Sequence, residues 1–458
     1  MPTLDVETLL DRGPLRPIQR RVIALSVLGI TFDGVDIQII GLAVPTLAQD
    51  WATAPEAFAS VAAAGLAGMA LGTSIVGTLG DRFGNKRMLG MSIFLLGVMT
   101  LASGLARDLT DLTILRFVSG IGMGGALPNA VALVSGYSPL SRRAFWLAAL
   151  SIATQAGGVL AGLMAAEVLP SMGWRALFFI AGGAPLLLGI VILIWVPETI
   201  HYLLRRGTGS NGELEKIVVD LGGDAIAPQH LITHETCSVA GIGAFSELFG
   251  AGRWKITVIL WTMFVSVYLS MYMVPNWLPT IFVSEGLSAA EGSFGLAIYN
   301  IAGIFAGLTA GAVVARFGTR IPLLIMVGGG LLWSLALALI LGQITLSAPV
   351  VILLVSLLAF SIIGALVSIV AIAAAAYRPE LRSTGAGAAL TAARIGAVLS
   401  SFLGAGAIAV GGAPLYFVII AIGLAVAGVC VAIFPRHAPA SPSRGQREPT
   451  DFLQRASS

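Results

Sequence analysis

Long apolar stretches, each close to the length of a bilayer-spanning helix, alternate with short polar segments along the whole chain. A spanning helix needs about 20 mostly apolar residues, and that length predicts two sets of six spans. The spans cover 22–47, 57–80, 88–106, 111–135, 143–168 and 174–196 in the first set, and 255–282, 290–316, 321–343, 349–373, 384–410 and 414–434 in the second. The pattern therefore predicts an all-α membrane protein with twelve transmembrane helices.

The two sets of spans also repeat each other in sequence. GTLGDRFGNKR ends the second predicted span and GAVVARFGTR ends the eighth. RRAFWLAALSIATQAGGVL aligns with LRSTGAGAALTAARIGAVL, so that Gln155 corresponds to Arg394. Repeated halves place a substrate site near the bilayer midplane between them. We predict two pseudo-symmetric six-helix bundles joined and flanked by polar segments: a tail at 1–21, bundles at 22–196 and 255–434, a central loop at 197–254 and a second tail at 435–458.

Charged residues are scarce, and the lysines and arginines lie almost entirely on one side of the predicted membrane. Charged residues make up only 11% of the 458 residues, whereas a soluble domain has about 25%. All lysines and arginines except Arg107, Arg116, Arg175 and Arg394 lie in the two termini, the central loop and the even-numbered loops. By the positive-inside rule, both termini and the central loop are cytoplasmic. Because arginine far exceeds lysine, we expect a bacterial source and a multi-pass protein of the cytoplasmic (inner) membrane.

Two acids interrupt the first predicted span, in the stretch TFDGVDIQII. An ionised side chain at the centre of a spanning helix costs about 2.5–3.5 kcal/mol, so Asp33 and Asp36 need a polar cavity or a partner. Being three residues apart, they share one face of a helix, and two carboxylates so close in a low dielectric do not both ionise easily. We predict that Asp33 and Asp36 couple a proton to transport; the alternative is a neutralised pair that only fixes helix packing.

Arg394 and Arg116 are the two cations left inside the predicted spans. A guanidinium matches a carboxylate through two parallel hydrogen bonds. Arg394, in the middle of the eleventh span, is therefore expected to bind an anionic substrate, to pair with Asp33 or Asp36, or to do both in turn. Arg116 lies nearer the outer end of the fourth span, from where its side chain can extend to the interface or take part in gating.

Candidate substrate contacts come from the middle spans. In VSVYLSMYMVPNWLPT, Tyr268 and Tyr272 stand one helical turn apart, which suits stacking on a ring-shaped substrate and equally suits core packing. The spans offer few amides for a sugar site: Gln38, Asn129, Gln155 and Asn300. The predicted substrate-binding residues are Arg394, Gln155, Tyr268, Tyr272 and Asn300.

The loop GDRFGNKR, between the second and third spans, predicts a gate rather than a substrate contact. Gly84 permits a tight turn, and Asp81 with the neighbouring cations can form a charged latch across the cytoplasmic helix ends. The predicted gating residues are Asp81, Arg82, Gly84, Arg87 and Arg116. In the eighth span, a stripe of small residues is predicted to pack against another helix: Gly303, Gly307 and Gly311.

Other chemistries lack a signature in this sequence. No GxxxxGK[ST] motif occurs, which argues against ATP drive, and the predicted spans carry no metal-ligand cluster. The net charge of +3 is too small to suggest a nucleic-acid partner. Cys237 and Cys430 are interpreted as free thiols. We expect no enzyme activity, no bound metal and no cofactor other than the proton as coupling ion.

Several stretches resemble a known family. GTLGDRFGNKR is similar to the loop signature of the major facilitator superfamily, and RFVSGIGMGG to its fourth-helix arginine motif. More narrowly, the chain resembles the aromatic acid:proton symporters, which import benzoate-type or hydroxylated phenylpropionate-type acids. The stretches that carry this resemblance are DGVDIQIIGLAVP, GGALPNAVALVSGYSP, GWRALFFIAGGAPLLL, NWLPT and LRSTGAGAALTAARIGA. The resemblance implies that Asp33 and Asp36 are needed for transport, that Asp81 belongs to the gate and that Arg394 binds the substrate carboxylate.

The chain departs from that family at three places. Val35 stands where members usually carry an aromatic residue, Ala315 replaces the acid of the second-half loop, and VPETIHYLL lacks the family's arginine. The first departure lies beside the predicted site and bears on which substrate is taken, not on the class.

These features together predict a proton-coupled secondary importer, a symporter, of an aromatic carboxylic acid that works by alternating access. An exporter of drugs or metabolites with the same fold and an importer of a non-aromatic organic acid remain as alternatives, with a membrane sensor as the non-transport reading. We expect a monomer whose partners are a small organic anion, protons and the lipid bilayer.

Overall fold

The computed structural model describes nine segments of the chain: 4–11, 14–206, 211–222, 231–232, 247–250, 253–341, 348–378, 381–435 and 437. The helices in these segments are α1 (Val6–Asp11), α2 (Pro17–Asp50), α3 (Ala59–Phe83), α4 (Asn85–Ser103), α5 (Leu109–Tyr137), α6 (Leu140–Trp195), α7 (Ile200–Arg206), α8 (Asn211–Asp220), α9 (Trp254–Ser284), α10 (Ala289–Phe317), α11 (Arg320–Ile340), α12 (Ala348–Ala376) and α13 (Arg382–Ile433). A 3-10 turn spans Pro55–Phe58, and β1 (Leu4–Asp5) pairs in parallel with β2 (Leu231–Ile232). Cys430 is buried and free, whereas Cys237 lies outside the described residues.

Ten of these helices are long and apolar enough to cross a membrane. Two of the ten are about twice the usual length, and each is divided by one glycine whose backbone is not helical: Gly173 (φ 76, ψ 178) in α6 and Gly412 (φ 60, ψ −154) in α13. Both φ values lie in the left-handed region that favours glycine. The described chain thus holds twelve membrane-length segments, and the predicted all-α membrane architecture is confirmed.

Successive spans run in opposite directions, so that their ends gather on two sides of the bundle. We define the near side by Pro17, Phe83, Tyr137 and Trp195, and the far side by Asp50, Ser103, Gly173 and Ser284. On the near side, Gln19 Nε2 donates to the carbonyl oxygen of Tyr137 at 3.0 Å. On the far side, Trp174 Nε1 donates to Asp50 Oδ2 at 3.0 Å. The charge distribution predicts that the near side is cytoplasmic.

The two halves of the chain meet in backbone contact on the far side. A Cβ placed on Gly41 of α2 would lie 2.1 Å from the carbonyl oxygen of Pro275 in α9. Likewise, a Cβ on Gly162 of α6 would lie 2.6 Å from the carbonyl oxygen of Ser293 in α10. Small residues allow helices to approach this closely, and here they close the space between the halves on the far side.

The predicted packing stripe in α10 is wrong for two of its three glycines. A Cβ on Gly303 would lie 2.5 Å from Gln155 Nε2, so that position is tightly packed against the first half. A Cβ on Gly307 or Gly311, one and two turns closer to the near side, would meet no atom within 4 Å. The reason is that α10 touches α6 on the far side and leaves it toward the near side.

Candidate functional site

The two acids of the first span lie in the interior of the bundle. Asp33 and Asp36 are each only 3% exposed. Between them, Gly34 brings α2 into direct backbone contact with α6, because a Cβ there would lie 2.1 Å from the carbonyl oxygen of Thr154. The two carboxylates are equally buried, but their surroundings differ.

Asp36 is fully paired within the first half. Its Oδ1 atom lies 3.0 Å from Arg116 Nη1 and also accepts a hydrogen bond from Thr100 Oγ1. Its Oδ2 atom accepts a hydrogen bond from Ser119 Oγ at 3.0 Å. One guanidinium and two hydroxyl donors thus occupy both oxygens of Asp36, which is fully engaged in an ion pair with Arg116.

Arg116 is not at the membrane interface, where the sequence allowed its side chain to extend. It is 2% exposed, and its Nη2 atom donates to Thr100 Oγ1 at 3.1 Å and to Ser103 Oγ at 3.0 Å. The guanidinium also lies 5.5 Å from the centre of the Phe178 ring. Arg116 faces inward because the Asp36 carboxylate, two hydroxyl groups and an aromatic ring face stabilise its positive charge there, whereas the apolar outer surface of α5 would not. It thus lies in the core of the first half, away from the predicted gating loop.

Asp33 has no such set of partners. Its Oδ1 atom is buried without a hydrogen-bond partner in the described part of the chain. Two charges lie close enough to act on it, the Asp36 carboxylate and the Arg394 guanidinium. A buried carboxylate oxygen without a partner is costly, and either a proton on Asp33 or a rearrangement of Arg394 removes that cost.

Arg394 reaches the centre of the molecule from α13 without forming an ion pair. Its Nη1 atom lies 3.4 Å from Met69 Sδ and 3.5 Å from the Tyr272 hydroxyl. No carboxylate oxygen of the described residues lies within 4.0 Å of its guanidinium. Among the described residues the guanidinium therefore has only these two long, neutral contacts and no anionic partner, so its fork of donors can still bind a carboxylate.

Tyr268 and Tyr272 stand on one face of α9, as their spacing predicted. Their ring centroids are 6.1 Å apart with an interplanar angle of 31°, and Phe264 continues the row at 6.2 Å from Tyr268. Tyr272 also contacts the Arg394 guanidinium. An aromatic surface thus adjoins the free cation.

A small cavity of about 30 Å³ lies between the two halves. It is lined by Ile37, Gln38, Thr154, Gln155, Met271, Tyr272, Pro275, Tyr299, Asn300 and Ile363. Three of the five predicted substrate-binding residues, Gln155, Tyr272 and Asn300, therefore lie on one cavity. Tyr268 and Arg394 are not among its lining residues, but they adjoin it through Tyr272.

Two cavity amides join the halves directly. Gln38 Nε2 donates to Asn300 Oδ1 at 2.8 Å, and Asn300 Nδ2 donates to Gln38 Oε1 at 2.9 Å. Both side chains are buried, and we name this pair the amide clasp. Asn300 Nδ2 also donates to the carbonyl oxygen of Leu296 at 2.7 Å. The donors of Asn300 are thus taken up by the protein, and the predicted contact with substrate requires the clasp to open.

Gln155, the counterpart of Arg394 in the first half, has a free donor. Its Nε2 atom is buried without a hydrogen-bond partner among the described residues. It approaches Gly303 of the second half so closely that no Cβ would fit there. An unsatisfied amide at the wall of a cavity is a donor available to a bound ligand.

The near-side loop is organised by a residue that the sequence did not single out. Gly84 has a φ of 100°, a conformation that favours glycine, and a Cβ there would lie 2.2 Å from Glu198 Oε2. Glu198 Oε1 accepts hydrogen bonds from the backbone N–H groups of Lys86 and Thr199, both at 3.1 Å. The carboxylate therefore caps the amino terminus of α4, where negative charge is favourable. Burial nevertheless raises the pKa of Glu198 above its ordinary value, and the backbone hydrogen bonds oppose that rise.

In the structure, the acid of the predicted charged latch contacts a cation outside the loop. Asp81 Oδ1 lies 3.9 Å from Arg205 Nη2 of α7, and both side chains are exposed. Arg82 lies over the ring of Phe83, and Arg87 is exposed. The loop is thus tied to the segment after α6 at two points, weakly through Asp81 and firmly through Glu198, because an exposed pair contributes little.

Several of these site residues carried only a weak sequence signal. Thr100, Ser103 and Ser119 are ordinary in membrane helices, and their spacing does not reveal that they surround one arginine. Gln38 was visible as a rare amide in a span, but its partner is 262 residues away. Glu198 stands in VPETIHYLL, where nothing in the sequence indicates that its side chain reaches back to the start of α4.

Comparison with known proteins agrees with this architecture. A family model described as Major Facilitator Superfamily matches residues 26–401. The chain is 31% identical over 409 residues to the 4-hydroxybenzoate transporter PcaK of Pseudomonas aeruginosa, covering 88% of this chain and 89% of that protein. It is 29% identical over 408 residues to the benzoate transport protein of Acinetobacter baylyi, covering 87% and 86%. A solved D-xylose-proton symporter superposes with a TM-score of 0.70 at 17% identity over 92% of this chain and 98% of that one, which establishes the likeness of fold.

Proposed function

This chain belongs to the Major Facilitator Superfamily and is a transporter related to aromatic acid transporters, and on that basis we propose that it imports an aromatic carboxylic acid together with a proton. One observation carries the proposal. Among the described residues, Arg394 has no carboxylate within 4.0 Å and adjoins the cavity through Tyr272, while Asp33, buried with one oxygen lacking a hydrogen-bond partner, lies within the electrostatic reach of Arg394. The first is a receptor for an anion, and the second is a receptor for a proton.

The substrate class follows from what adjoins Arg394. Its guanidinium, which has no anionic partner among the described residues, suits a carboxylate, and the neighbouring rings of Tyr272 and Tyr268 suit an aromatic body. Gln155 Nε2 supplies a further donor at the cavity wall. Relatives whose names specify 4-hydroxybenzoate and benzoate support the same class.

Of the two acids, we assign the proton to Asp33. Protonating Asp36 would leave Arg116 buried without its counter-ion, which is strongly unfavourable. Protonating Asp33 breaks no ion pair within 4.0 Å in the described chain and gives its buried oxygen a proton to donate. Asp36 thus keeps the structural role that the sequence left open for the pair, and Asp33 takes the coupling role.

The cycle follows from the charges of the site. With Asp33 ionised and Arg394 free, the two charges attract each other across the halves. Binding of a proton to Asp33 and of a carboxylate to Arg394 neutralises both together, so that the halves can rock about the cavity. Binding of either ligand alone leaves one charge uncompensated in a low dielectric. The halves are therefore not expected to rock when only the proton or only the acid is bound.

The near side faces the cytoplasm in this proposal, and the protein resides in a bacterial inner membrane with both termini inside. The loop carrying Asp81, Arg82, Gly84 and Arg87 then controls closure of the cytoplasmic side. The bundles predicted at 22–196 and 255–434 act as the two rocking units. The far-side contacts and the amide clasp join residues of one bundle to residues of the other, so these contacts must break when the far side opens.

The test is uptake by the purified protein in liposomes. A labelled panel of benzoate, hydroxybenzoates, dihydroxybenzoates and phenylpropionates, with an aliphatic acid and a sugar as controls, is offered with an acid-outside gradient and again with the gradient collapsed. We expect accumulation of an aromatic acid that requires the gradient. Accumulation of the aliphatic acid alone, or uptake indifferent to the gradient, contradicts the proposal.

A further inference from the structure

A second cleft, remote from the central cavity, opens on the near side of the first half. It has a volume of about 270 Å³ and lies between the start of α2, the start of α4, the end of α6 and helix α8. Its charged lining consists of Arg21, Lys86, Glu213, Lys216 and Asp220; its apolar lining consists of Ile18, Ile194, Trp195, Val196, Pro197 and Ile217.

The wall contributed by α8 is firmly packed. Leu214, Ile217, Val218 and Leu221 recur at helical spacing and are all buried against the core of the first half. This amphipathic pattern fixes which face of the helix is turned inward. Three of the other positions, Glu213, Lys216 and Asp220, line the cleft.

The three cations of the cleft are not used by the protein itself. In the part of the chain that the structure describes, no carboxylate oxygen lies within 4.0 Å of Arg21, Lys86 or Lys216. The Lys86 backbone N–H donates to Glu198, and the Lys86 ammonium acts on that carboxylate through space without forming an ion pair within 4.0 Å. Three cations and two carboxylates leave one positive charge in excess, which matches the single negative charge of a phosphodiester better than the charge of about −1.5 to −2 on a phosphomonoester.

The cleft also continues into exposed apolar surface at the near-side end of α6. Ile194 is 68% exposed and Trp195 is 62% exposed, both in the last turn of α6. A tryptophan at the end of a spanning helix is typical of the membrane–water interface. A ligand held by the cations can therefore extend an apolar portion along these two side chains.

We propose that this cleft binds a phospholipid, with its phosphodiester at Arg21, Lys86 and Lys216 and its acyl chains along Ile194 and Trp195. Basic pockets between helices at the cytoplasmic surface bind lipid headgroups in this way. The bound lipid would tie α8 of the central loop to the spans α2, α4 and α6. The site is independent of the transported substrate.

The test compares binding of lipid by the full chain and by charge variants in detergent. Native mass spectrometry counts bound phosphatidylglycerol and phosphatidylethanolamine, and thermal unfolding records stabilisation by each lipid and by inorganic phosphate. The cleft variant is Lys86→Gln with Lys216→Gln. The matched control is Arg142→Gln with Arg206→Gln, which removes the same charge from exposed near-side positions outside the cleft.

We expect wild type and control to retain one lipid and the cleft variant to bind it about 30-fold more weakly. Equal binding by the cleft variant overturns the proposal, and so does stabilisation by inorganic phosphate without any by lipid. If the cleft variant does not fold, Glu213→Gln with Asp220→Asn provides a second test. It raises the local positive charge and must tighten phosphatidylglycerol binding; unchanged or weaker binding contradicts the assignment.

Discussion

Breaking the amide clasp is expected to open the far side of the transporter. Gln38→Met keeps the length of the side chain but removes both hydrogen bonds to Asn300, which are 2.8 and 2.9 Å long. Each buried hydrogen bond contributes about 1 kcal/mol net, so the closed arrangement loses about 2 kcal/mol relative to one in which both amides are hydrated. At tenfold per 1.4 kcal/mol, the ratio of open to closed molecules rises about 30-fold.

The populations can be read from a distance across the far side. Spin labels at Leu105 and Leu339, exposed positions near far-side ends of the two halves, report the separation by double electron–electron resonance. A far-open population of about 1% in the wild type would rise to roughly a quarter in Gln38→Met, because the ratio is multiplied by about 30. The labelled pair is first verified for uptake in the otherwise unchanged protein.

A swapped pair supplies the control for side-chain loss. Gln38→Asn with Asn300→Gln keeps two facing amides of the same combined length and is expected to restore the wild-type distribution of distances. The reasoning is refuted if Gln38→Met leaves the distribution unchanged. It is equally refuted if the swapped pair opens the far side as much as Gln38→Met does.

Three further predictions concern the charged residues. Asp36→Asn leaves the Arg116 guanidinium buried without its counter-ion and should lower the free energy of unfolding by about 3–5 kcal/mol. The thermal midpoint of Asp36→Asn should therefore fall, whereas that of Asp33→Asn should not. Arg394→Lys loses the two-bond fork and should raise KM for the acid about tenfold or more, while uptake stays gradient-dependent. Glu198→Gln should change the pH profile of thermal unfolding. Burial raises the folded-state pKa of Glu198, so the folded state binds the proton more tightly, and wild-type stability relative to Glu198→Gln falls as pH rises from about 4.5 through the folded pKa.

Each of these predictions has a contrary result. Equal thermal midpoints for Asp36→Asn and Asp33→Asn would mean that Arg116 does not depend on Asp36. An unchanged KM in Arg394→Lys would remove Arg394 from the substrate site. A difference in midpoint between wild type and Glu198→Gln that is constant across pH 4.5–8 would show that the Glu198 carboxyl does not titrate differently in the folded state.

The helices were the most predictable part of the molecule. The expected length of about 20 apolar residues per spanning helix located every span. The predicted breaks before 174 and 414 fall beside Gly173 and Gly412, whose backbone is in the left-handed region. Hydropathy suffices here because a spanning helix must satisfy its backbone within itself, so its bounds are a local property of the sequence.

The partners of the charged residues were less predictable. The sequence indicated that Asp33, Asp36, Arg116 and Arg394 lie in spans, but not that Asp36 pairs with Arg116 while Asp33 is left without a partner. Those pairings depend on the rotation and depth of helices that are remote in sequence. The same limit applies to the amide clasp and to the small residues of α10, whose packing depends on which side of the transporter is closed.

The central claim is that Asp33 carries the proton, and it is tested most directly by separating exchange from accumulation in liposomes. Asp33→Asn mimics a permanently protonated carboxyl, so we predict that it exchanges labelled acid for unlabelled acid across the membrane but no longer accumulates it when an acid-outside gradient is applied. Asp33→Glu, which keeps the titrating group, should retain some accumulation. Gradient-driven accumulation by Asp33→Asn at the wild-type level would contradict the account.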